Sequence, residues 1–169
     1  ALGNYAGAYI QEQNSIAIGQ MSGQTAQGTY SIAVGNTAGS SSQGTNCIAI
    51  GSEAGFENQI GFSIALGTGA GRVSQNGIAI GRESGYNNQG SDAVSLGNFS
   101  GTTNQGSKAI AIGNEAGNNL QGPDCIAIGP NAGQASQQTG AIAIGSFAGR
   151  TNQGTSSVAI GYNAGVNSQ

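Results

Sequence analysis

Ile16-Ala17-Ile18-Gly19, with its tail Gln20-Met21-Ser22-Gly23-Gln24-Thr25-Ala26-Gln27-Gly28, decides the fold because the chain keeps restating it. The phrase returns as Ile32-Ala33-Val34-Gly35, as Ile48-Ala49-Ile50-Gly51, and so on to Val158-Ala159-Ile160-Gly161. Self-similarity at a fixed period marks a repeat architecture and has to be read before any local feature. The glycines that close the triplets are Gly3, Gly19, Gly35, Gly51, Gly67, Gly81, Gly97, Gly113, Gly129, Gly145 and Gly161. They stand sixteen residues apart except between Gly67 and Gly81, where the spacing is fourteen.

Several columns keep their character through all the repeats. A second glycine follows each anchor four residues on, as Gly23 and Gly39 do, and it is always preceded by Ala or Ser. Eight residues past the anchor stands a glutamine: Gln11, Gln27, Gln43, Gln59, Gln75, Gln89, Gln105, Gln121, Gln137 and Gln153, with Gln169 closing the series. The two columns just after the anchor, by contrast, mix Tyr, Glu, Phe, Asn and Arg and read as solvent-facing corners.

The triplet alternates large, small, large, which is strand periodicity, and Ile and Val favour the pleated backbone. A sixteen-residue unit is too short for a pair of helices. The pattern therefore predicts an all-β, parallel β-solenoid of the β-roll type over residues 1–169. It has about ten coils, one of them shortened, stacked at about 4.8 Å per step into a rod roughly 50 Å long. The aliphatic members are expected to point into the coil as a core ladder: Ile16, Ile18, Ile32, Ile48, Ile50, Ile64, Ile78, Ile80, Ile110, Ile112, Ile126, Ile128, Ile142 and Ile144. The glutamines are expected to be buried, either stacked as an amide ladder or closing the turn of their own coil.

The small middle column is Ala17, Ala33, Ala49, Ala65, Ala79, Ser95, Ala111, Ala127, Ala143 and Ala159. A solvated face would drift, and this one does not. It is read as a face on which identical chains pack, as a parallel homotrimer; the alternative is that small residues merely fill a tight coil interior. Ala1 opens and Gln169 ends the chain in mid-repeat, which predicts an excerpt of a longer fibre protein.

Chemistry is sparse. The chain has 32 glycines, no His, only 7% charged residues and a net charge of -3. That leaves no basic footprint for nucleic acid, and no apolar run approaches the length of a membrane helix. No catalytic, metal or cofactor site is expected. Gly67-Thr68-Gly69-Ala70-Gly71 imitates a dinucleotide turn but lies in register with every other repeat. Cys47 and Cys125 share a column five coils apart, too far for an intrachain disulfide, and leave an interchain bond at one level open. Glu53, Glu83 and Glu115 share a corner without being neighbours, and Asn98-Phe99-Ser100 is a lone glycosylation sequon.

Ser15-Ile16-Ala17-Ile18-Gly19, Ser31-Ile32-Ala33-Val34-Gly35 and Ser63-Ile64-Ala65-Leu66-Gly67, each followed by a small residue and glycine, resemble the YadA-like head repeats of trimeric autotransporter adhesins. The resemblance implies a left-handed β-roll, trimeric, at a cell surface and binding matrix or other cells. The coil ending at Gly81 has that family's usual length; the others carry an added Gln-Gly such as Gln27-Gly28 and look like the longer repeats of viral and phage surface fibres. Together these readings predict a non-enzymatic extracellular fibre segment, on a cell or virion surface, whose partners are itself and a host surface or matrix ligand. An ice-binding solenoid is the alternative.

Overall fold

The computed structural model describes residues 1–168; Gln169, the last of the glutamine column, lies outside the described residues. Its architecture is an all-strand parallel β-solenoid of about nine turns, with no helix among the described residues. Most turns supply two short strands. One is the aliphatic triplet, as in Ile32–Val34, Ile48–Ile50 and Ile126–Ile128; the other ends on the glutamine, as in Ser41–Gln43, Glu57–Gln59 and Asn119–Gln121. In two turns a single longer strand, Val73–Ile80 or Asn87–Leu96, runs through both walls. Equivalent residues of successive coils lie opposite one another, Ala33 against Ala49 and Gln43 against Gln59.

The hydrogen-bond ladder does not stop at the strand ends. Met21 N donates to Asn4 O at 2.8 Å, Gly35 N to Ile18 O at 2.8 Å, and Gly23 N to Ala38 O at 2.9 Å. Turns therefore pair with turns as strands pair with strands, and the peptide groups find partners around the whole circumference. Such close stacking needs a particular backbone. A Cβ on Gly19 (φ 123°) would stand 2.5 Å from the carbonyl oxygen of Gly35 in the next coil, so the anchor column admits only glycine. The left-handed conformation also recurs at ordinary residues, including Met21 (φ 54°), Thr37 (φ 52°), Glu53 (φ 58°) and Leu120 (φ 55°).

The interior contains no large aliphatic side chain. It is built from the middle column Ala17, Ala33, Ala49, Ala65, Ala79, Ser95, Ala111, Ala127, Ala143 and Ala159, and from the Ala and Ser that precede the second glycine. To these it adds the residues before the triplet, such as Ser31, Cys47 and Ala109, and the glutamines. This corrects the expected orientation of the triplet. None of Ile16, Ile18, Ile32, Ile48, Ile50, Ile64, Ile78, Ile80, Ile110, Ile112, Ile126, Ile128, Ile142 and Ile144 is buried, and Ile16 and Ile18 keep 46% and 41% of their surface exposed. The small column is covered by the chain itself, and so cannot be the face on which a second chain packs.

The reason is the width of the coil. A Cβ placed on Gly55 would lie 2.7 Å from Gln59 Oε1 and 3.2 Å from the Ala49 methyl, so a methyl from one wall and a flat amide from the other already fill the gap. An isoleucine turned inward would have nowhere to go.

Candidate functional site

The glutamine side chains lie along the interior and bond in both of the ways open to them. Within the coil, Gln43 Nε2 donates to Ile32 O at 2.8 Å, Gln105 Nε2 to Val94 O at 2.9 Å and Gln121 Nε2 to Ile110 O at 2.9 Å. Between coils, Gln43 donates to Gln59 Oε1 at 3.1 Å and Gln59 to Gln75 Oε1 at 3.1 Å. A second relay runs from Gln89 through Gln105, Gln121 and Gln137 to Gln153 at 3.0–3.2 Å per step. Gln11, in the first coil, is only half-buried and donates to Ser15 O at 3.3 Å. The Oε1 atoms of Gln27, Gln43 and Gln89 receive no donor, so both relays begin on an unpaired acceptor.

With the small column inside, the triplets present the aliphatic side chains outward. Ile16, Ile32, Ile48, Ile64, Ile78, Val94, Ile110, Ile126, Ile142 and Val158 form one file along the rod. Ile18, Val34, Ile50, Leu66, Ile80, Leu96, Ile112, Ile128, Ile144 and Ile160 form the other. Coil-to-coil register is unbroken along both, from Ile16↔Ile32 to Ile144↔Ile160. Soluble monomers rarely leave so continuous an apolar surface open. This aliphatic face is the strongest candidate for a functional surface.

The remaining motifs settle as structure. Cys47 and Cys125 lie inside the coil, where Cys47 Sγ donates to Ile60 O at 3.1 Å and Cys125 Sγ to Gln138 O at 2.8 Å. Burial pushes both thiols above their ordinary pKa, against smaller opposing backbone hydrogen bonds. An interchain disulfide is therefore closed to the folded chain. Gly67-Thr68-Gly69-Ala70-Gly71 forms the same corner as every other repeat. In the sequon, Asn98 is exposed, but Ser100 is buried and donates its hydroxyl to Gly97 O at 3.0 Å. No group of three or more acidic, histidine or cysteine side chains that could hold a metal occurs among the described residues.

One feature escapes a column-by-column reading of the solvent-facing corners. Arg72 is sandwiched between Phe56 of the preceding coil and Tyr86 of the following one, its guanidinium 5.1 Å and 5.4 Å from the two ring centres. Its Nε also bonds Glu53 Oε2 at 2.7 Å, which holds the guanidinium protonated. Arg82 stacks over Phe99 at 4.5 Å and Arg150 over Phe147 at 5.5 Å. The signal was present in the column five residues past the anchor, where Phe56, Arg72 and Tyr86 follow one another on successive coils.

The family described as the YadA head domain repeat matches the chain twice, over residues 26–54 and 153–168. No curated protein and no solved structure matches the chain. The two matched stretches contain the same triplet, paired glycines and buried glutamine as the coils between them. A YadA head repeat on a β-solenoid is the make-up of structural, surface-exposed adhesins rather than of enzymes.

Proposed function

We propose that the chain is a non-enzymatic, adhesin-head-like segment of an extracellular fibre that self-associates through its aliphatic face as a parallel homotrimer. The observation that carries this reading is that face: two unbroken files of Ile, Val and Leu, none of them buried, on a coil whose interior is already full. Three flat coils with these faces turned to a common axis would bury both files against their counterparts. The thin interior of Ala and Gln would then be supplemented by a larger hydrophobic core between the chains. The matched head repeats support it, since that family consists of trimeric adhesins.

The corner columns and the glutamine-strand side would face outward. They offer the same polar groups once per coil, a layout suited to many weak contacts made together with a matrix or cell surface. Ice binding is disfavoured, because the regular array of small residues on which it would rest lies inside the coil.

Analytical ultracentrifugation of the wild-type chain and of an Ile112→Lys/Ile128→Lys variant tests the assembly. The expected result is a trimer that the two lysines convert into monomer with strand content retained. A folded wild-type monomer at micromolar concentration would overturn it. Attachment of the trimer to matrix-coated surfaces, absent for the monomer, is the expected functional counterpart.

A further inference from the structure

The aliphatic face repeats itself at every coil. Two copies displaced by one coil, about 4.8 Å, would therefore lose only the contacts of the end level, and the face alone cannot hold them level. The one break in period, between Gly67 and Gly81, does not interrupt the face: Ile78-Ala79-Ile80 pairs in register with Ile64-Ala65-Leu66 on one side and with Val94-Ser95-Leu96 on the other.

What the short coil lacks is part of the turn between glutamine and triplet. Asn76-Gly77 stands where the preceding coil has Ile60-Gly61-Phe62-Ser63. The recess left there is a notch of about 260 Å³ rimmed by Phe62 and Asp92 and floored by Gly77, Ile78, Ala93 and Val94. Ile78 and Val94 belong to the aliphatic face as well, so the notch opens directly onto it.

We propose that this notch is the register key of self-association. It receives the opposite edge of a second, parallel copy of this chain, whose Arg82 meets Asp92 on the rim. The inference rests on the reading of the aliphatic face as the surface where copies meet. When flat coils turn one face to a common axis, the edge carrying the second turn of one copy adjoins the edge carrying the first turn of the next. Arg82 and Asp92 lie on those two edges within the same coil, the one beginning at Gly81. Both are exposed, and neither takes part in the one ion pair found among the described residues, Arg72–Glu53.

Level copies therefore bring a guanidinium to a carboxylate. A slip of one coil in one direction sets Arg82 against Lys108, a like charge, and sets Asp92 against the uncharged Thr68. In the other direction Arg82 meets the coil that lacks the residue, and Asp92 meets Asn98. The correct register is favoured and both neighbouring ones are penalised.

The test reads register directly. In a Cys47→Ala/Cys125→Ala background, chains carrying Ile128→Cys are mixed with chains carrying Ile144→Cys, one coil away in the same file, and allowed to assemble and oxidise. Level copies give 128–128 and 144–144 disulfides, and only slipped copies give 128–144. The expected result is a strong excess of the like pairs. It should collapse severalfold towards a random mixture when two residues are inserted between Asn76 and Gly77, and also in Asp92→Lys, a surface substitution that leaves the fold intact. An unchanged excess of like pairs in Asp92→Lys, with assembly retained, overturns the key. Random pairing in the unmodified chain also overturns it, while a chain that never assembles overturns the self-association reading on which it stands.

Discussion

The coil from Gly113 to Gly129 and the coil from Gly67 to Gly81 build the same two walls from different lengths of chain. In the longer coil, Gln121 is followed by Gly122-Pro123-Asp124-Cys125 before the triplet begins; in the shorter one, Gln75 is followed only by Asn76-Gly77, and strand runs on from Val73 to Ile80. Both glutamines still pair with their equivalents, Gln121 with Gln137 and Gln75 with Gln89. Coil length is thus a property of one turn, and the walls tolerate its change. The interiors of the two coils differ in one bond. Gln121 passes its amide hydrogen to Gln137, whereas Gln75 turns its Nε2 to Ile64 O and Gly77 O and leaves Gln89 Oε1 without a donor. The relay is broken at that step, as it is between Gln27 and Gln43 in a coil of full length.

The largest effect expected from this contrast is at the glutamines. Gln121→Ala removes an amide from a full interior together with its bonds to Ile110 O, Gln105 and Gln137, at a cost of about 4 kcal/mol. Gln89→Ala also forfeits three bonds but removes a buried Oε1 that already lacks a donor, and should cost about 1 kcal/mol less. Urea midpoints of the two variants measure the difference, and equal losses would mean that the relay carries no energy of its own.

Next comes Gly77. Its column elsewhere holds Ser31, Ser63, Ala109, Cys125 and Ala141, all buried, yet a Cβ on Gly77 would fall inside the carbonyl oxygen of Ala93. Gly77→Ala should therefore cost about 3 kcal/mol, while Ala141→Ser in a regular coil should be nearly neutral. Thermal unfolding of both distinguishes a glycine required by the short turn from one that is incidental.

A smaller contrast separates the arginines. Arg72, held between two rings and a carboxylate in the short coil, should lose about 1 kcal/mol on replacement by Ala, with allowance for solvent screening of a partly exposed pair. Arg150, over one ring, should lose about half as much. Adding salt should shrink the Glu53-dependent part of the Arg72 effect and leave the ring-dependent part.

The smallest change is a gain. Leu120 occupies a left-handed position that Asn58, Asn88, Asn104 and Asn152 fill in other coils. Leu120→Asn should raise stability by about 0.5 kcal/mol, read as a shift in the unfolding midpoint.

Much of this was legible in advance. The period, the parallel stacking, the corner glycines and a buried glutamine column all follow from residue types that recur at fixed phase. The Arg72 sandwich was less visible, because its members sit in a column that otherwise holds Ala, Gln, Ser, Thr, Asn, Val and a second Arg, and a column read for what it tolerates conceals what three of its neighbours share. The candidate surface was misread for a sharper reason. The constancy of Ala17 and its equivalents signals that something packs tightly against them, and a second chain and the opposite wall of the same coil leave the same mark.

By itself, then, the sequence of this protein determined a sixteen-residue coil with one fourteen-residue exception, strands of alternating parity, and columns that must be glycine, small or glutamine. Only the tertiary structure decided which parity faces inward. Alternation with period two looks the same from either side of a strand. The choice falls to the distance between the two walls, which hydrogen-bonded turns hold so close that a methyl and an amide fill it. The isoleucines are left on the outside, where they become a surface for another molecule to cover.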